Sequence, residues 1–153
     1  NISSLNDIQI SEFRNKNIGF IFQFHQLLPE LNNLENIILP AMIGNHSKKS
    51  YTDRAHELAN LLGINKILYK YPDSISGGEK QRVAVARSLI NNPKILLADE
   101  PTGNLDSENE KIIMNLFKKL NSEKGLTIVL VTHNKDFAKI SNKCYTIKDG
   151  KWN

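Results

Sequence analysis

Residues 74–106 read S-I-S-G-G-E-K-Q-R-V-A-V-A-R-S-L-I-N-N-P-K-I-L-L-A-D-E-P-T-G-N-L-D, and the rest of the chain is organised around them. A Ser-Gly-Gly turn (Ser76, Gly77, Gly78) opens a helix, and a wholly apolar strand at 95–98 then runs into two adjacent carboxylates, Asp99 and Glu100. A glycine turn at a helix start offers unpaired backbone N–H groups and the positive end of the helix dipole, which together suit a phosphate. Carboxylates at a strand end suit a metal ion and a water. Phosphate, metal and water in one stretch point to nucleotide hydrolysis.

Working outward, three segments predict parallel strands that each end abruptly in a polar side chain. The run 18–22 leads to Gln23, the run 95–98 leads to Asp99 and Glu100, and the run 127–132 leads to His133. Open α/β sheets bind ligands just beyond the carboxyl ends of their strands, so these four side chains can converge on one crevice. Strands often end at polar residues simply because loops are polar, and that explains any one of them more easily than the set. Asp99 and Glu100, being adjacent, point apart and can divide labour: Asp99 holds Mg²⁺ and Glu100 orients and deprotonates a water. His133 can donate a hydrogen bond to a terminal phosphate. Ser76, Gly77 and Gly78 supply a hydroxyl and open amides, with Lys80 and Arg82 adding charge, while His25 carries no assignment. Asp106 reads either as a plain N-cap or as a residue reaching across an interface.

Between the first and second strands the character turns helical. Asn32 and Glu35 suggest a capping box for a helix reaching about Leu39, where Pro40 intrudes. After a polar loop over 44–50, Ala55, Leu58, Ala59 and Leu62 recur at helical spacing before Gly63. A helix over 79–90 follows the glycine turn. Another over 107–120, opened by a Ser107–Glu110 capping box, completes a strand-helix-strand unit expected to be right-handed. The strand at 95–98, apolar throughout, is expected to be covered on both faces, and the strand at 127–132 has a fully apolar core, I-V-L-V. Residues 1–17 predict a loop and a short helix, 135–140 a short helix capped by Asn134, and Asp149-Gly150 a hairpin turn.

At 153 residues, the chain has room for one ordinary domain and a smaller lobe beside it, and no apolar run approaches the ~20 residues needed to cross a bilayer. The formal charge is +4, but the basic residues are scattered without interleaved aromatics, which fits a solvated surface or an anionic membrane face rather than a nucleic-acid groove. The single cysteine, Cys144, excludes an internal disulfide and fits a reducing compartment. The first residue is Asn1 and not Met, from which the chain is expected to begin mid-protein.

At these residues the chain resembles the ATP-binding subunits of ABC transporters, nearly end to end. Ser76-Gly77-Gly78-Glu79 matches the signature motif, 95–100 the strand-end acidic motif, Asn104-Leu105-Asp106 the D-loop, Gln23 the Q-loop and His133 the H-loop. The segments F-I-F-Q-F-H-Q-L-L-P-E-L-N-N-L-E-N-I and A-D-E-P-T-G-N-L-D look most like the branch serving lipoprotein release, with macrolide-efflux and cell-division relatives close by. The resemblance implies an α/β P-loop NTPase fold with a mostly parallel sheet. Residues 1–23 and 89–153 would form the nucleotide-binding core, and 24–88 an inserted helical lobe that bears the signature.

It further implies ATP and Mg²⁺ as ligands, with Asp99 and Gln23 on the metal and Glu100, His133 and Gln23 in catalysis. Ser76, Gly77, Gly78, Glu79 and Asp106 would serve the nucleotide of an opposing copy in a head-to-tail dimer. The other implied partners are transmembrane permease subunits at the cytoplasmic face of a bacterial inner membrane, with no nucleic acid. A chromosome-maintenance ATPase would need long heptad arms between its halves, a ribosome-acting relative normally carries two cassettes, and a truncated, non-enzymatic remnant is the third alternative. The 153 residues contain no G-x-x-x-x-G-K-[ST] phosphate loop. By themselves they are expected to bind ATP poorly and hydrolyse none; phosphate release by these residues that disappears on Glu100→Gln is the opposite outcome.

Overall fold

The structure, a computed structural model, describes residues 2–44, 48–149, 151 and 152, with 48–50 and 152 described by backbone alone. Helix α1 (Asp7–Asn17) is opened by a reciprocal capping box between Asn6 and Gln9 and leads directly into β1 (Ile18–Ile21). Helices α2 (Asn33–Ile43), α3 (Lys48–Leu62) and α4 (Gly77–Leu89) follow and pack on one another. The chain then enters β2 (Ile95–Asp99), α5 (Ser107–Lys124), β3 (Thr127–Val131) and α6 (Lys135–Ile140). Strands β4 (Ile147–Lys148) and β5 (Lys151–Trp152) pair antiparallel. Asp149 between them has φ 51°, as a tight hairpin turn needs, while Gly150 of the expected turn lies outside the described residues.

The three main strands form a parallel sheet in the order β1-β2-β3. Ile18 pairs with Ile95 and Ile95 with Thr127, so the strands start level and end level. One face of the sheet carries Gly19, Ile21, Leu96 and Ala98, all buried in a core shared with α2, α3, α4 and α5. Gly19 is where α4 comes closest: a Cβ built there would lie 2.4 Å from the backbone oxygen of Ser88. Only a glycine allows that approach.

Several expectations are corrected. Strand β2 is not covered on both faces: Ile95 is open, and on the neighbouring strands Val129 is 51% and Val131 60% exposed, with Phe20 and Phe22 also open. Apolar composition states what each side chain would gain by burial, not whether a neighbour lies over it, and α1 borders this open face beside β1 and Leu97 of β2. There the Phe20 and Phe22 rings stack at 6.1 Å. Helix α2 does not stop before Pro40 but runs to Ile43, and the Pro40 carbonyl accepts from the Asn15 and Asn91 side-chain amides at 2.9 and 3.4 Å. Those outside donors serve a carbonyl of the last turn, where helices leave carbonyls unpaired.

Helix α3 begins at Lys48, inside the expected 44–50 loop, whose residues 45–47 lie outside the described ones. Helix α4 begins at Gly77 rather than Glu79, because Ser76 is its N-cap. Helix α5 is capped by Asp106 and not by Ser107, and it runs to Lys124, where Gly125 at φ 63° supplies the left-handed cap. With Asp106 as cap, Asn109 takes the third helical position and Glu110 is displaced from the reciprocal box.

The close approach at Gly19 gives a stability test. Gly19→Ala must push α4 away from β1, and a destabilisation of about 1–3 kcal/mol in urea unfolding is expected; an unchanged midpoint would show that the helix yields freely.

Candidate functional site

The level ends of the three strands place Gln23, Asp99, Glu100 and His133 along one edge of the sheet. Glu100 is the first residue past β2, and its N–H donates to the Val131 carbonyl at 2.9 Å, extending the β2–β3 ladder by one step. Its φ is 42°, in the left-handed region that a non-glycine residue enters at a cost of roughly 1 kcal/mol. That twist turns the carboxylate toward β3. There Oε1 accepts the His133 N–H at 2.7 Å and Oε2 accepts the Thr132 hydroxyl at 3.2 Å. His133 Nε2 lies 3.6 Å from Oε1, while the imidazole is otherwise fully open to solvent. Two donors thus hold a carboxylate whose side chain is only 17% exposed, which fixes its direction.

Gln23 reaches the same turn from β1. Its side-chain amide lies beside Gly103, where an added Cβ would come within 3.3 Å of Nε2 and 3.6 Å of the Glu100 carbonyl. The Gln23 carbonyl accepts from Asn104 Nδ2 at 3.3 Å. Asp99, at the last position of β2, is exposed and shares no hydrogen bond with the other three among the described residues. Glu100 and His133 are therefore joined by a hydrogen bond, Gln23 borders the same turn at Gly103 and Asn104, and Asp99 is placed by its position on the strand.

No group of three or more His, Cys, Asp or Glu that could hold a metal occurs among the described residues. Magnesium does not require one: it is usually held by one or two protein oxygens plus water and substrate phosphate. The exposed Asp99 carboxylate and the Gln23 amide oxygen are hard donors of the right kind.

A second group forms at the start of α4. The Ser76 hydroxyl caps the Glu79 N–H, and the Glu79 carboxylate accepts the Ser76 N–H and hydroxyl at 2.8 and 2.9 Å. Those bonds from Ser76 hold the Glu79 carboxyl below its ordinary value. No described hydrogen bond uses the Gly77 or Gly78 N–H; Gly77 is exposed at the turn, while Gly78 is buried against Asn109. Asp106 joins this group because Gly78 packs directly on α5, whose cap Asp106 is.

The family whose description is ABC transporter matches residues 2–103. This chain belongs to the ABC transporter family. Among curated ABC relatives it is similar to the lipoprotein-releasing system ATP-binding protein LolD of Cytophaga hutchinsonii, with 50% identity over 97% of this chain and 68% of the relative. LolD of Bacteroides thetaiotaomicron is 48% identical over 97% of this chain and 68% of the relative. A solved dimeric ATP-binding cassette in a post-hydrolysis state, bound to ADP and Pi, superposes with a TM-score of 0.86 at 41% identity, covering 95% of this chain and 65% of that one. A dimeric bacterial ABC transporter cassette gives 0.87 at 41% identity, covering 96% and 65%. The chain thus spans about two thirds of the length of the ABC proteins it matches, and the expected P-loop ABC fold is the one observed.

Sequence reasoning missed several residues that shape this ABC site. Thr132 holds the Glu100 carboxylate. Glu110 accepts from Asn134 Nδ2 and from the Thr102 hydroxyl at 3.5 Å, tying α5 to the segment around His133. Arg87 of α4 donates to the carbonyls of Gln26 and His25 at 2.6 and 2.7 Å and clasps the segment that follows Gln23. His25 lies against α4; burial pulls its imidazole below the ordinary value, a backbone hydrogen bond with Gly77 opposes this, and the Lys80 and Arg87 charges reinforce it. The sequence signal for Arg87 was its place on the signature helix; none singles out Thr132, and Glu110 reads only as half of a capping box.

The Glu79 cap predicts a pH dependence. A carboxyl lowered in the folded state contributes stability at pH above its unfolded value, 4.5, and loses it as pH falls through the folded value. Glu79→Ala is therefore expected to cost about 1 kcal/mol or less at pH 7, given its exposure, and less at pH 3. Equal losses at both pH values in urea unfolding would contradict this origin.

Proposed function

We propose that the protein is the ATP-binding and hydrolysing subunit of an ABC transporter that drives lipoprotein release from the bacterial inner membrane. The observation that carries the reading is the Glu100 carboxylate, twisted toward β3 and held by the Thr132 hydroxyl and His133 N–H at the mouth of a parallel sheet. The lipoprotein cargo is supported by the LolD relatives.

In this reading Glu100 accepts the proton of a water as its oxygen attacks the terminal phosphorus of ATP, and the bond from that phosphorus to the ADP oxygen breaks. His133 offers an imidazole N–H toward the terminal phosphate. Asp99 and Gln23 would hold Mg²⁺, which when bound neutralises developing phosphate charge. The Gly77 and Gly78 amides, framed by the Ser76–Glu79 cap, and Asp106 would face the nucleotide of a second copy in a head-to-tail dimer. Residues 24–88 would act as the helical lobe beside a core formed by 1–23 and 89–153. The segment following Gln23 would meet transmembrane permease subunits, with the protein peripheral at the cytoplasmic face. Asn36 braces that segment by accepting the Leu28 N–H and donating to the Leu28 and Leu31 carbonyls.

General-base catalysis is worth roughly 10²–10⁴-fold. In the full-length polypeptide with MgATP, Glu100→Gln is expected to lower phosphate release by at least about 10²-fold while ATP binding persists, and chelation of Mg²⁺ to stop it. Turnover that survives Glu100→Gln would remove Glu100 from the mechanism.

A further inference from the structure

The Ser76–Gly78 turn and the Asp106 carboxylate belong to different helices, and one side chain packs on Gly78 and hydrogen-bonds both Arg82 of α4 and Asp106. Asn109, half-buried in the first turn of α5, accepts from Arg82 Nη1 of α4 at 2.6 Å through Oδ1. Through Nδ2 it donates to Asp106 Oδ2 at 2.8 Å, and its backbone N–H donates to Asp106 Oδ1 at 2.8 Å. The chemistry of the partners fixes the orientation of the amide. A guanidinium only donates and a carboxylate only accepts, so Oδ1 must face Arg82 and Nδ2 must face Asp106.

The same amide sits on Gly78: a Cβ there would lie 2.4 Å from Asn109 Cγ and Oδ1. The contact therefore joins the buried second glycine of the turn, the arginine one helical turn onward and the cap of the next helix. No other described hydrogen bond joins α4 to α5. Few side chains can replace this one. Aspartate would set a second carboxylate against Asp106, lysine would offer Arg82 no acceptor, and alanine would leave both partners to water.

We propose that Asn109 is a positioning residue that sets the spacing between the Ser76–Gly78 amides and Asp106, so that both engage a partner copy's nucleotide as one surface. This rests on the reading of the chain as an ATPase subunit that closes on a second copy. Asn109 itself touches no reacting atom; it acts through Gly78, Arg82 and Asp106.

The test uses the full-length polypeptide carrying Glu100→Gln, with ATP-driven dimerisation followed by sedimentation velocity. Asn109→Ala and Asn109→Asp are each expected to raise the protein concentration for half-dimerisation roughly tenfold, about the effect of one charge-assisted hydrogen bond. Monomer affinity for a fluorescent ATP analogue should stay within about twofold, and the thermal midpoint should hold. Arg82→Ala combined with Asn109→Ala should weaken dimerisation by less than the product of the single effects, because the two share one contact. Unchanged dimerisation in both Asn109 variants would overturn the proposal, as would a parallel loss of monomer ATP affinity. If the parent Glu100→Gln protein shows no ATP-driven dimerisation, the dimeric-ATPase reading fails, and the proposal with it.

Discussion

The in-register pairing of β1, β2 and β3 is the constraint on which everything else depends. Parallel ladders space their hydrogen bonds evenly, so a strand paired level at its start delivers its end level too. Ile21 opposite Ala98 and Asp99 opposite Val131 bring Gln23, Glu100 and His133 out at one edge. The pairing is anchored on the buried face, where Leu96 fills the centre and Gly19 lets α4 approach the sheet backbone. A slip of one residue would exchange the buried face with the open one. It would also turn Glu100 away from Thr132 and His133.

Helix termini then do what the sheet edge cannot. The sheet aims carboxylates, whereas anion binding calls for N–H groups, and the start of α4 supplies them with its own cap already satisfied. The Ser76–Glu79 box uses the third amide of the helix and leaves the first two without a partner among the described hydrogen bonds. Helix α4 also holds the segment after Gln23 through Arg87 and meets α5 through Arg82. Val83, Ala84, Val85 and Ala86, consecutive and all buried, span most of its circumference, and their small size permits close packing on several sides.

Much of this was legible in the sequence because it depends on local chemistry. Strand ends, the glycine turn, the Asn134 cap and the four strand-end side chains all follow from residue type and spacing within a few positions. The misreadings came where two local rules competed or where a distant group decided. Asp106 and Ser107 are both good N-caps, and only the path of the chain out of the 101–105 turn selects Asp106. Pro40 is a helix breaker by rule, yet the helix continues and Asn15 and Asn91, remote in sequence, serve its last carbonyls. The all-apolar strands signal burial, but coverage belongs to whatever packs above them.

The sequence by itself determined the family, the parallel α/β class and the inventory of groups able to bind phosphate, hold a metal and move a proton, since those are properties of residues and short spacings. Only the tertiary structure decided how the inventory is arranged. It twists Glu100 into a positive φ, locks its carboxylate on Thr132 and His133, clasps His25 and Gln26 with Arg87, and joins Gly78 to Asp106 through Asn109. Each of these contacts except the Asn109–Asp106 link, for which Asp106 must first be chosen as cap, crosses from one element to another. A hydrogen bond reports the position of both partners, and the position of a residue tens of places away is set by the packed core, which no local pattern encodes.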